Sequence, residues 1–278
     1  MDTKELDIQG HRGCRGLLPE NTIPSFIHAV ELGVNTLELD IAITADNHVV
    51  ISHEPWMSST ICSHPDGTPV FEEEVDSTNI FKMTLEEVQA YDCGLRGHPD
   101  YPGQKSIAAT KPSLKEAVKA VEGYLAENNL PPVFYNIETK SRPSWDSIFT
   151  PGPEEMTRLL YSTVSELGII DKVIIQSFDP RTLEVLRIID ENIKTAFLVS
   201  NNESLESNLA LLSFLPDIYS PNYVLTGGDE IALAQEKGMQ VIPWTINKME
   251  DMQQYIELGV DGIITDYPDV LIKLLKRE

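Results

Sequence analysis

Cysteine is scarce in this chain: three in 278 residues, at Cys14, Cys62 and Cys93. Three cannot build a disulfide framework for a protein of this size. None pair at the CxxC spacing of a structural zinc site either. They are expected to be ordinary small or buried residues. Long apolar runs are missing as well; none approaches 18 residues, which excludes a helical membrane span. The opening Met1-Asp2-Thr3-Lys4-Glu5 has no hydrophobic region of the kind a secretion signal carries. The cytoplasm is the expected compartment, with the periplasm or exterior as the alternative for a chain whose leader has been removed. Basic residues are few too: 21 Lys plus Arg against 44 Asp plus Glu, a net charge of −23. Counterion release cannot drive nucleic-acid binding on such a surface, and an anionic bilayer repels it. A small anion would also be repelled, so any phosphate site must concentrate its own positive charge.

What is present is a steady alternation of short β-branched runs with helical patterns, the mark of a parallel sheet. Strands are expected at 7–11, 36–41, 133–138, 173–177, 195–199, 217–220, 240–245 and 262–265. In the first helix Ile23, Phe26, Ile27 and Val30 follow the i, i+3, i+4, i+7 rule behind an Asn21-Thr22 cap. Pro153 and Pro180 open later helices, and Gly238 and Gly259 stop others. Eight strands and eight helices predict a (β/α)8 barrel, which runs to about 250 residues as one domain. The whole chain, 1–278, therefore reads as a single domain.

A further strand at 49–53 lies too close to 36–41 for a parallel crossover. It must fold back as a hairpin, and a two-residue turn at Asp46-Asn47 would set Asp40 opposite His53 and Ala42 opposite Ile51. From 54 to 109 the rhythm breaks into a Pro-, Gly-, Ser- and acid-rich stretch with one helical piece, capped by Thr84 and Glu87. It begins at a strand end, where barrels keep their active sites, and is read as an inserted lid or subdomain.

His11-Arg12-Gly13 ends the first strand, pairing an imidazole with a guanidinium suited to phosphate. Glu38 and Asp40 share one face of the second strand, while Leu37, Leu39 and Ile41 take the other. Two carboxylates pointing into a barrel mouth are costly unless a cation lies between them. Asn136, Glu138 and Lys140 repeat the arrangement one barrel strand on, so Glu138 can reach the same ion. The donors are all hard oxygens, which favours one Mg²⁺ or Ca²⁺ over zinc. His28, His48, His64 and His98 read as surface residues, and Trp244 as a pocket wall or core residue.

Together these residues resemble the glycerophosphodiester phosphodiesterase family. The stretch His11-Arg12-Gly13…Pro19-Glu20-Asn21-Thr22, then Glu38-Leu39-Asp40-Ile41…Thr44…Asp46…Val49-Val50…His53, is similar to the family's N-terminal signature. Asn136-Ile137-Glu138…Lys140, Gln176-Ser177-Phe178-Asp179, Trp244-Thr245 and the run from Gly259 to Asp266 with Pro268 continue the likeness along nearly the whole chain. The family's usual Asp after the second histidine is Glu54 here, its turn Gly is Asn47, and Thr139 replaces an aliphatic residue.

The resemblance implies His11 and His53 as general acid and base. It implies Glu38, Asp40 and Glu138 as ligands to a divalent cation, and Arg12 with Lys140 on the phosphate, Glu20 lending polar support nearby. The implied reaction is hydrolysis of a glycerophosphodiester to sn-glycerol 3-phosphate and an alcohol, with a small soluble diester as the partner molecule. Two rivals are a phospholipase C- or D-like enzyme acting on lipids, and a non-catalytic barrel that binds glycerophosphodiesters. The first would need an apolar rim for docking, and the insertion offers only scattered Trp56, Met57, Ile80 and Phe81.

Overall fold

The computed structural model describes residues 6–276, so the reading of residues 1–5 lies outside the described residues. The strands are β1 (Asp7–Gly10), β2 (Thr36–Ile43), β3 (Val49–Ile51), β4 (Phe134–Thr139), β5 (Val173–Ser177), β6 (Lys194–Val199), β7 (Ile218–Pro221), β8 (Gln240–Val241) and β9 (Gly262–Thr265). The order β8-β7-β6-β5-β4-β2-β1-β9 is parallel throughout, with β3 antiparallel on β2. Helices α1 (Ile23–Leu32), α2 (Leu85–Gln89), α3 (Leu114–Asn128), α4 (Pro153–Glu166), α5 (Pro180–Ile189), α6 (Leu205–Leu209), α7 (Gly228–Glu236), α8 (Met249–Glu257) and α9 (Pro268–Leu275) accompany them. This is the expected (β/α)8 barrel. None of the helices is long and apolar enough to cross a membrane, among the described residues.

Strand β8 ends four residues before the expected boundary. Pro243 has no amide hydrogen to donate to the ladder. The ring still closes through backbone bonds from Asp261 N to Val241 O at 2.9 Å and from Ile264 N to Pro243 O at 3.1 Å.

Alternation in the strands divides the core. Leu37, Leu39 and Ile41 point outward into a shell of helix residues such as Phe26, Val118 and Val121. Ile174, Ala196, Ile218, Ile242 and Ile264 fill one side of the barrel interior. The other side is polar: Asn136 Nδ2 donates to Gln9 Oε1 (2.7 Å) and Gln176 Oε1 (3.0 Å). The caps are local and readable. Thr22 accepts from Ser25 N at the start of α1, and Ser113 with Glu116 forms a capping box on α3.

Two expectations are corrected. The β2–β3 pairing is one residue out of the expected register: Ile41 faces Ile51 and Ala42 faces Val50. Ser52, not His53, bonds to Asp40, its N–H donating to the Asp40 carbonyl at 3.0 Å. The cause is the turn, which holds three residues between Thr44 and His48, with Asn47 left-handed at φ 61°. The cysteines also differ. Cys14 is free and buried, but Cys62 and Cys93 form a disulfide. That bond ties the insertion together around a small core of its own, in which Met57, Ile80 and Val88 pack on Ala42 and Val50.

Candidate active site

The parallel register sets the site. Gly10 pairs with Leu37, so His11 arrives level with Glu38. Asp40 pairs with Glu138, and Glu138 with Gln176. Four neighbouring strands, β1, β2, β4 and β5, thereby bring their C-terminal ends to one spot, with the inward carboxylates supplied by β2 and β4. Glu38 and Asp40 are each 1% exposed and Glu138 is 7% exposed. One oxygen from each lies within 4.8 Å of the others.

Their neighbours orient them. Glu38 accepts from the Arg12 backbone N–H (2.9 Å) and from Gln176 Nε2 (2.7 Å). Arg12 makes the first of these bonds from the left-handed region, at φ 50°. Gly13 follows at φ 86°, where an added Cβ would stand 2.4 Å from Ser25 Oγ. Asp40 accepts from Asn21 Nδ2 at 2.8 Å, with Arg12 Nε 3.3 Å away and Lys140 Nζ 2.9 Å away. Lys140 also donates to Glu138 at 2.7 Å, and Arg12 to Glu20 at 2.7 Å.

Charge crowding shows in the titration of the cluster. Burial, together with the charges of Asp40 and Glu138, holds Glu38 well above the usual carboxylate range. Burial likewise pushes Glu138 up to about 7, against the pull of Lys140. Asp40 is buried too, yet Lys140 and Arg12 hold it well below the ordinary value. Three converging, buried, oxygen-only donors with an excess of negative charge fit a hard divalent cation. The donor set suits Mg²⁺ or Ca²⁺.

Both histidines are gripped at Nδ1. His11 Nδ1 lies 2.6 Å from Asp266 Oδ1, while its Nε2 sits 3.9 Å from Glu38 Oε2. His53 Nδ1 lies 2.7 Å from Glu54 Oε1, so the longer Glu still reaches the ring. Burial lowers the pKa of His11, against the opposing charge of Asp266. Burial, with Lys140 and Arg12 nearby, lowers that of His53. Each ring therefore leaves Nε2 for an external partner.

His11, Arg12, Glu38, His53, Glu138, Lys140 and Trp244 line a single cavity of about 830 Å³, and Asp40 lies buried against Lys140 and Arg12. Every site residue expected from the sequence thus falls in or beside one opening. Trp244 donates from its indole to Ser220 O at 2.8 Å and meets Phe178 edge-on at 5.4 Å, forming part of the wall.

Other contributors escape sequence reasoning. Asp266 lies just past β9, and its second oxygen accepts from Tyr101 of the insertion and Asn247, each at 2.7 Å. Asn21, read as part of a helix cap, instead turns left-handed at φ 56° and bonds Asp40. His98, read as surface, contacts Arg15 at 3.1 Å and packs on Tyr101. The signal for Asp266 was present in the 259–266 run, but nothing in the sequence said which histidine it would meet.

The chain resembles known proteins over nearly its whole length. The model of the glycerophosphoryl diester phosphodiesterase family matches residues 11–270. A glycerophosphodiester phosphodiesterase of Caldanaerobacter subterraneus is 28% identical over 272 residues, spanning 97% of this chain and 98% of its own length. One from Bacillus altitudinis is 28% identical over 271 residues, spanning 96% and 97%. A crystal structure of a protein from Silicibacter pomeroyi superposes with a TM-score of 0.85 at 26% identity, covering 99% of this chain and 94% of that one. A phosphodiesterase from Oleispira antarctica, solved with its product sn-glycerol-3-phosphate, has the same fold at a TM-score of 0.76 and 22% identity, covering 97% and 96%.

Proposed function

The chain belongs to the glycerophosphoryl diester phosphodiesterase family, and from that membership we propose that it hydrolyses soluble glycerophosphodiesters to sn-glycerol 3-phosphate and an alcohol. His11 and His53 serve as the acid–base pair. Arg12 and Lys140 bind phosphoryl oxygens, Trp244 walls the pocket, and Glu38, Asp40 and Glu138 hold one divalent cation, Mg²⁺ or Ca²⁺. Such a cation, when bound, supplies electrostatic stabilisation of charge developing at phosphorus.

The observation that carries this reading is the pair of carboxylate-anchored histidines opening onto the same cavity as the three-carboxylate cluster. One Nε2 takes the proton of the nucleophile, either water or the substrate's own glycerol hydroxyl, and the other returns a proton to the departing alkoxide; where the glycerol hydroxyl attacks, water then opens the cyclic phosphate. Those tasks need opposite protonation states, so the rate should follow a bell-shaped pH profile. Asp266 and Glu54 keep each ring in the tautomer that presents Nε2, and stabilise the imidazolium when it forms. Lys140 and Arg12 place positive charge beside the reacting group, which answers the problem posed by a −23 surface. The inserted segment 54–109 acts as a lid that contributes Trp56 to the wall and Tyr101 to the support of Asp266.

The test is release of sn-glycerol 3-phosphate from glycerophosphocholine, with phosphatidylcholine vesicles as the contrasting substrate. Turnover of the soluble diester that collapses in both His11→Ala and His53→Ala supports the proposal. Preference for the intact lipid would favour the lipase-like rival. Binding without turnover would favour the non-catalytic one.

A further inference from the structure

Cations in the cavity are almost all spoken for. Arg12 pairs with Glu20 and Asp40, Arg15 with Glu20, and Lys140 with Asp40 and Glu138. Arg142 differs. It lines the same cavity two residues beyond Lys140, and while its carbonyl accepts from Trp145 N at 2.9 Å, its guanidinium has no carboxylate or hydrogen-bond partner among the described residues. Its guanidinium instead lies 3.8 Å from the centroid of the Trp145 ring. Trp145 is held in turn by edge-on contact with Trp56 at 5.5 Å. Stacking on an aromatic face fixes the plane of an arginine without using its N–H groups. Five donors are thereby held at the rim without a protein acceptor among the described residues, in a chain of net charge −23.

The cavity's carboxylates do not compete for this arginine. Glu54 is on His53, Glu138 on Lys140, and Asp179 is clasped by Arg181 at 2.6 Å. Arg142 is therefore left to meet a molecule bound in the cavity it shares with Arg12 and Lys140, the residues assigned above to the phosphate.

Resting on the phosphodiesterase reading above, we propose that Arg142 on its Trp145 platform is a specificity-determining residue that receives a carboxylate on the leaving alcohol. The enzyme then prefers diesters whose headgroup carries a carboxylate over otherwise identical ones that lack it. The planar fork suits a carboxylate bidentately, and stacking has already reduced the entropy lost on pairing.

Glycerophosphoserine and glycerophosphoethanolamine differ by that one carboxylate, so the ratio of their kcat/KM values isolates its contribution. Wild-type protein should favour the serine diester by about two- to fivefold, the scale of a partly exposed charge pair. Arg142→Ala should bring the ratio to about one, and Arg142→Lys should restore part of it. The ratio is measured within one preparation, so any loss of folded protein cancels. A wild-type ratio near one, or a ratio unchanged in Arg142→Ala, overturns the proposal while leaving the phosphodiesterase reading intact. Failure to hydrolyse either diester removes that reading and this proposal with it.

Discussion

Tyr101 donates a 2.7 Å hydrogen bond to Asp266 Oδ2, the carboxylate whose other oxygen lies 2.6 Å from His11 Nδ1. The two residues are 165 positions apart, and Tyr101 comes from the insertion rather than the barrel. The insertion thus reaches the support of a barrel histidine directly. Gln104 Nε2 on Arg15 O (2.7 Å) and Lys105 N on Leu17 O (2.9 Å) lay the same segment along the loop after β1.

Tyr101→Phe removes one of the two donors to Asp266 Oδ2 and keeps the ring. The expected result is a several-fold fall in kcat with KM little changed, because the phosphate-facing groups are untouched. Stability should fall by about 1 kcal/mol, the worth of one partly buried hydrogen bond. Steady-state kinetics and thermal unfolding of the same variant check both, and a fall confined to stability would deny Tyr101 its positioning role.

Asp266→Asn should be far more damaging. An amide at this position can present an N–H to His11 Nδ1 and so favour the wrong tautomer, with losses on the order of 10²–10⁴ in kcat. Asn247→Ala, which removes only a second donor to the same carboxylate, should cost much less. Equal effects of the two substitutions would show that tautomer control is not the function of Asp266.

Glu54 links stability to pH. Burial raises its pKa, but the hydrogen bond and charge of His53, with Lys111 and Arg12, bring it down to about 2. A carboxylate depressed in the folded state stabilises above its unfolded value of about 4.3 and loses that contribution as pH falls toward 2. Glu54→Gln should therefore be less stable than wild type at pH 7, and the gap should close between about pH 4.3 and pH 2. Denaturant midpoints at a series of pH values measure this. A gap that is constant across the range would mean that the Glu54 charge contributes nothing.

The Cys62–Cys93 bond closes a loop with a sequence separation of 31. On chain-entropy grounds its loss should cost about 3–4 kcal/mol of stability. Thermal unfolding of Cys62→Ser, alongside wild type in reductant, should show equal drops. The small core of Met57, Ile80 and Val88 is where the loosening should appear first, as faster amide exchange.

The barrel was legible in the sequence because parallel strands bury both faces and alternate with capped helices. The metal-site candidates were legible because two carboxylates at i and i+2, opposite three leucine and isoleucine side chains, have only the barrel axis to point to. The β2–β3 register was not, since Ala45, Asp46 and Asn47 together, not Asp46 and Asn47 alone, make the turn. One residue of loop length moves every pairing beyond it. His53 still reaches the site, because it lies past the end of β3, where the ladder no longer dictates direction. The disulfide was hidden for a different reason: its cysteines lie in irregular chain, where no periodicity places them. Asp266, Asn21 and Tyr101 act through contacts that only the closed barrel creates.

Release of sn-glycerol 3-phosphate from one soluble glycerophosphodiester, followed before chelation, after chelation, and after return of Mg²⁺ or Ca²⁺, bears most directly on the proposed chemistry. Run on wild type and His11→Ala together, it should show activity abolished by the chelator, restored by the ion, and reduced by orders of magnitude in the variant throughout. Full activity in the chelator, or a wild-type kcat in His11→Ala, would contradict it.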